Sequence, residues 1–309
     1  MTHSHKNFRS VLKDWMLPIA MAAGVIFYKW IGALTFLSPY LIFCMLTITY
    51  CRIEPREFFR IGRMQWVLLL AQCLLAATVF FALLPVGKVV ASGVFICVFV
   101  PTATAAPVIT GMLGGSITKV ATYSLLCNIM VACLGPAILA AMGVHPELTF
   151  TASFYKICAS VMPLLILPII TALVLRYSFR KVHDKLAHSQ SLSFYMWAVA
   201  LLIVVGASVS FIINNFTIER IDQTAWLVAG SAAVCLLQFR IGRKVGGHFR
   251  EKVTGGQALG QKNTVLAIWL ALAYLDPIAS IAPAAYVAWH NIVNSYQLLH
   301  HHHSHPSSH

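Results

Sequence analysis

Carboxylates are the scarcest chemistry in this chain: nine aspartates and glutamates stand beside 22 lysines and arginines in 309 residues. A soluble domain is about 25% charged and about 45–50% apolar, against 10% and 59% here. So little charge cannot coat a water-soluble fold, which excludes a soluble enzyme, a nucleic-acid module and a disordered scaffold. With a mean hydropathy of +0.78, the chain reads as an all-α integral membrane protein.

Catalytic and metal patterns are missing too. There is no HExxH, no Walker motif and no pair of intramembrane carboxylates, and Asp276 lies at a connector. The eight cysteines fall in or at the ends of apolar runs without a CxxC pair, so neither a disulfide framework nor a zinc site is expected. The reading is therefore not an enzyme, with no cofactor and no metal. The net charge of +13 comes from bases spread through connectors, a topology signal rather than a nucleic-acid patch.

A hydrocarbon core of about 30 Å needs roughly 20 helical residues. Cutting at charged or Pro/Gly-bearing connectors gives ten expected spans: Trp15–Gly32, Leu34–Cys51, Met64–Leu84, Val89–Met112, Ile117–Met142, Phe150–Leu175, Ser193–Ile213, Thr224–Phe239, Gly256–Leu275 and Pro277–Leu299. Alternate connectors then differ in charge. Lys6, Arg9, Lys13, Arg52, Arg56, Arg60, Arg63, Lys119, Arg176, Arg180, Lys181, Lys185, Arg240, Arg243, Lys244, Arg250 and Lys252 share one side. Only Lys29, Lys88, Lys156 and Arg220 share the other, and Lys262 belongs to neither. By the positive-inside rule both termini are expected in the cytoplasm, in a cell (inner) membrane.

Spans four and nine are interrupted. "VFVPTATAAPVITGMLGG" carries Pro101 and Pro107 around Thr102 and Thr104, and "TGGQALGQKNTVLA" carries three glycines with Gln257, Gln261, Lys262 and Asn263. They hold equivalent places in two five-span halves, the arrangement of an inverted-repeat transporter. The expected organisation is residues 1–14 as a cytoplasmic segment, 15–142 and 143–299 as the two repeats, and 300–309 as a histidine-rich tail, disordered or tag-like. A proline kink in an ordinary span is the plainer explanation of the interruption in span four.

Four stretches resemble the bile acid:sodium symporter family: "MLTITYCRIEPREF" (Met45–Phe58), "VPTATAAPVIT" (Val100–Thr110) with "GPAIL" (Gly135–Leu139), "GQKNTVLA" (Gly260–Ala267) and "AWHNIVNS" (Ala288–Ser295). The resemblance implies ten spans in two inverted repeats, a panel and a core domain, and crossing broken helices 4 and 9. The chain departs from the family where sodium is bound. Ala258 and Lys262 stand where an acidic residue and a glutamine are usual, Ala106 and Pro107 where a Ser-Asn pair is usual, and Val120 in place of a hydroxyl. Gln72, Ser124, Gln257 and Gln261 are the polar positions left for an ion.

The expected site follows. Half-helix amino termini present unpaired N–H groups to an anion, with Thr102, Thr104, Asn263 and Thr264 beside the breaks and His290, Asn291 and Asn294 sharing a face of the last span. An ammonium at mid-membrane costs about 2.5–3.5 kcal/mol and commonly marks a pathway, so Lys262 is expected to replace the coupling cation or to couple transport to protons. Each residue also has a plainer use, in back-bonding, helix packing or snorkelling. The expectation is alternating-access transport of a small organic anion without sodium. The alternatives are a sodium-coupled, bile acid-type symporter and a metal-cation carrier or membrane sensor fed by the histidine tail; the candidate coupling ions are Na+ and H+.

Overall fold

The computed structural model describes residues 16, 19–54, 56, 61–142, 149–215 and 221–304. Among them every regular element is a helix, apart from one antiparallel bridge between Thr102 and Lys262. Short helical pieces between residues 19 and 37 lead into α1 (Ser38–Cys51), α2 (Arg63–Leu83), α3 (Lys88–Phe99), α4 (Ala106–Met112), α5 (Ile117–Ala141) and α6 (Phe150–Ser178). Then come α7 (Arg180–His188), α8 (Gln190–Asn215), α9 (Ile221–His248), α10 (Lys252–Gly260), α11 (Thr264–Tyr274) and α12 (Ile281–Ser304). Among the described residues, five helical stretches are long and apolar enough to cross a membrane: Ala33–Cys51, Arg63–Leu83, Ile117–Ala141, Phe150–Ser178 and Ile221–His248.

The packing is that of a protein whose solvent is lipid. Along α2, Trp66, Leu70, Leu74 and Phe81 are exposed, while the opposite face buries Gln65, Gln72, Leu68 and Ala76. Both amides point in, while Trp66, Leu70, Leu74 and Phe81 point out, because only the interior offers an amide partners. Pro136 in α5 and Pro163 and Pro168 in α6 leave their helices continuous.

The ten-way cut meets a helix at each position, with differences that have a local cause. The stretch expected as one span to Gly32 tightens into Tyr28–Ile31 and a 3-10 turn, Gly32–Leu37. α9 continues through Arg240, Arg243 and Lys244 to His248, because helical hydrogen bonding does not stop at the hydrocarbon edge. The basic connector after α6 is itself a helix, α7. α12 continues through His300 to Ser304, so the first part of the expected tail is helical, not disordered. Lys6, Arg9, Lys13, Trp15, Arg60, Arg220, His305 and His309 lie outside the described residues, as do residues 143–148.

α9 and α10 pack as a close antiparallel pair. Gly242 and Gly246 on α9 face Gly255 on α10, and a Cβ at any of the three would run into the facing backbone. This is the small-xxx-small packing that lets helices approach in a membrane, and it fixes the helix that ends at the second interruption.

Candidate functional site

Both interruptions are true breaks, and they cross. Val100 precedes Pro101 and is pushed to an extended ψ of 155°, which ends α3. The second break runs from Gln261, at ψ 117°, to Asn263, whose side-chain oxygen caps α11 by accepting Leu266 N–H at 3.2 Å. Ala103 N–H donates to Gln261 O at 3.1 Å and Asn263 N–H to Pro101 O at 2.9 Å. The breaks thus satisfy part of each other's backbone.

The carbonyls left at the ends of α3 and α10 are met by side chains, as buried backbone requires. Thr102 Oγ1 donates to Ala258 O at 2.7 Å, and Lys262 Nζ to Val100 O at 3.2 Å. Gln72 Nε2 donates to Phe99 O at 2.8 Å and Val100 O at 3.2 Å, and its oxygen accepts from Tyr123 OH at 2.8 Å. In the second half the pair recurs in reverse order: Tyr286 OH donates to Gly260 O at 2.7 Å and accepts from Gln238 Nε2 at 2.9 Å. Ser124 Oγ donates to Thr102 O at 3.2 Å.

Lys262 is 1% exposed. Of its three donors, one has an acceptor among the described residues, Val100 O. The ionisable side chains within electrostatic reach are the thiols of Cys127, Cys73 and Cys97, with no carboxylate among them. At the amino terminus of α11, Asn263 Nδ2 and Thr264 Oγ1 are buried without a partner. Asn128 Oδ1, one turn beyond Ser124 on α5, and Tyr50 OH on α1 are likewise buried and unpartnered.

The positions where the resemblance places sodium ligands hold something else. Ala106, Val120 and Ala258 pack with Met64, Leu68, Ala103, Tyr123, Cys127 and Leu259 in one apolar cluster, and Pro107 is buried in the first turn of α4.

The remaining expected residues separate into a second group. Gln261 Nε2 donates to Gln257 Oε1, and Gln257 Nε2 donates to Gln297 Oε1 at 3.0 Å and Asn294 Oδ1 at 3.3 Å. His290 stacks edge-on against Tyr286, with ring centroids 5.6 Å apart, and its Nδ1 has no partner, nor has Asn294 Nδ2. These amides join α10 to α12. Thr104 is partly exposed in the turn before α4, and Asn291 is partly exposed on α12.

Sequence reasoning overlooked Tyr123, Gln238, Tyr286, Asn128 and Tyr50, and it read Gln72 only as an ion position. A lone amide in an apolar run, such as Gln72 or Gln238, was the available signal. The tyrosines gave none, since a tyrosine in a membrane helix is ordinary. No family model and no curated protein matches the chain.

Proposed function

We propose that this protein is a secondary transporter of a small organic anion, working by alternating access in a cell membrane. The observation that carries the reading is the buried Lys262 ammonium at the crossing of two broken helices, with one acceptor and no carboxylate partner among the described residues. A fixed positive charge with open donors, next to the partial positive end of α11 and the unpartnered Asn263 and Thr264, suits a carboxylate or sulfonate.

In this reading the chain forms ten spans in two inverted halves, with its amino-terminal segment and the end of α12 on the cytoplasmic side. Two features support it. The Gln72–Tyr123 and Gln238–Tyr286 pairs occupy the third and fifth spans of their halves, and each serves the carbonyl end of the first half-helix in its own half, α3 or α10. Lys119 in the first turn of α5 meets Glu251, just before α10, at 2.6 Å, and the charge rule places both ends on the same face.

Lys262 takes the place of a coupling cation, and sodium is not required, because the cluster around Ala106, Val120 and Ala258 offers no oxygen ligands from those side chains. The test is uptake of labelled 2-keto acids, pantothenate-like acids, a bile acid and a sulfonate into proteoliposomes, with external sodium or choline. Uptake of one of these in choline, lost in Lys262→Ala, is expected. Strict sodium dependence would instead assign a sodium symporter.

A further inference from the structure

The helix between α6 and α8 presents a surface that transport does not explain. α7 has nine residues, about 14 Å, too short to cross a bilayer. It packs on α1 and α6 through buried His183 and the partly buried Leu186 and Ala187. At helical spacing, Lys181, Lys185 and His188 form the opposite stripe with Arg180 beside it, and all four are exposed.

The carboxylate on this helix, Asp184, is engaged: its oxygen lies 3.0 Å from His183 Nδ1. The hydrogen bond from His183 holds it below the usual carboxylate range against the opposing effect of desolvation, with the neighbouring His183, Arg180 and His188 charges acting in the same direction as the hydrogen bond. Beside α7, the end of α1 adds Arg52 and Glu54, both exposed, and the last turn of α6 adds Arg176, partly exposed. Among the described residues no ion pair occupies Arg180, Lys181 or Lys185.

An independent observation lies just before the bases. Tyr177 is 76% exposed, Phe179 58% and Val182 48%. α6 has 29 residues, about 43 Å of helix, which matches the full thickness of a bilayer with its headgroups, about 40–45 Å. Its end therefore falls at headgroup depth, where aromatic rings beside bases are at home. An acidic protein or a nucleic acid would use the charges and leave the aromatic and aliphatic groups in water.

We propose that Tyr177, Phe179 and the outer stripe of α7 form a docking surface for anionic phospholipid headgroups, with Arg180, Lys181 and Lys185 meeting the phosphates. α7 is joined to α1 and α6 and runs into α8, so bound headgroups hold that helix group rather than the crossing.

The test titrates short-chain phosphatidylglycerol or phosphatidylcholine onto the full chain in detergent and reads the apparent melting temperature, which rises with any ligand of the folded state. Phosphatidylglycerol should raise it, phosphatidylcholine should not, and about 0.5 M salt should remove most of the rise. Arg180→Gln/Lys181→Gln/Lys185→Gln should lose at least half of it. A control, Arg240→Gln/Arg243→Gln/Lys244→Gln on α9, should keep most of it. Equal responses to the two lipids, an unchanged response in the α7 variant, or an equal loss in the control would each overturn the proposal. So would an α7-dependent rise with heparin or an acidic peptide but not with phosphatidylglycerol. Should the α7 variant melt early without lipid, hydrogen exchange on the wild type decides: phosphatidylglycerol must protect residues 177–188 for the proposal to stand.

Discussion

Thr102 and Lys262 pair as an antiparallel bridge at the crossing of the two broken helices, and each side chain serves a carbonyl at the end of the other's half-helix. The exchange is reciprocal in geometry and unequal in chemistry. A threonine hydroxyl brings one neutral donor, whereas the lysine brings a charge that one carbonyl leaves largely unneutralised.

Lys262→Met should therefore separate stability from function. Removing a buried charge that lacks a carboxylate partner relieves desolvation, so the melting temperature should stay level or rise. Anion affinity should fall at least about tenfold, equivalent to about 1.4 kcal/mol. Thermal unfolding and ligand titration on one preparation check both. Loss of stability with intact affinity would make Lys262 a structural residue.

Asn263 has two duties that substitution can divide. Asn263→Asp keeps the oxygen that caps α11 but replaces the unpartnered Nδ2 with a second acceptor, so anion binding should weaken while the helix holds. Asn263→Ala should in addition lose the cap, at about 0.5–2 kcal/mol. Thr264→Val removes an unpartnered hydroxyl and should weaken binding without loss of stability.

Tyr286→Phe strands Gly260 O and leaves the Gln238 amide only its longer bond to Cys97 O, at 3.4 Å. Leaving buried groups unmet costs about 1–3 kcal/mol, and Tyr123→Phe should cost a similar amount through Gln72. The double variant Tyr286→Phe/Gln238→Leu should be less destabilised than the sum of its singles, since the two share one network. Chemical denaturation in mixed micelles measures all three.

The Lys119–Glu251 pair predicts a pH dependence. Burial pushes the Glu251 carboxyl up, but hydrogen bonds from Lys119 and Thr254 and the Lys119 charge bring it below its ordinary 4.5. A depressed carboxylate stabilises the fold above its unfolded pKa, and that contribution disappears as pH falls through the folded value. Stability should fall on acidification below about pH 4.5 by under about 1 kcal/mol, since the pair is partly exposed. Glu251→Gln should flatten that part of the profile.

Much of the architecture was legible because its causes are local. The break at Val100 follows from Pro101, the cap at Asn263 from an amide before an apolar run, and the helices from the length of the runs. α7 was missed because "RKVHDKLAH" was cut as a charged connector, although His183, Leu186 and Ala187 recur at helical spacing on its packed side. Lys262 stood out because one ammonium in an apolar segment is anomalous in any context. Tyr123 and Tyr286 did not, since their hydroxyls acquire meaning only from the carbonyls they reach.

The sequence by itself determined the solvent, the helices and the places where two of them break, because hydropathy and a proline's missing N–H act within a few residues. Only the tertiary structure decided what the break residues touch. Thr102 meets a carbonyl 156 residues away and Lys262 one 162 residues away. A carbonyl freed at a helix end has no partner of its own within the helix. Which side chain meets it depends on which segment crosses there, and no local pattern encodes the crossing.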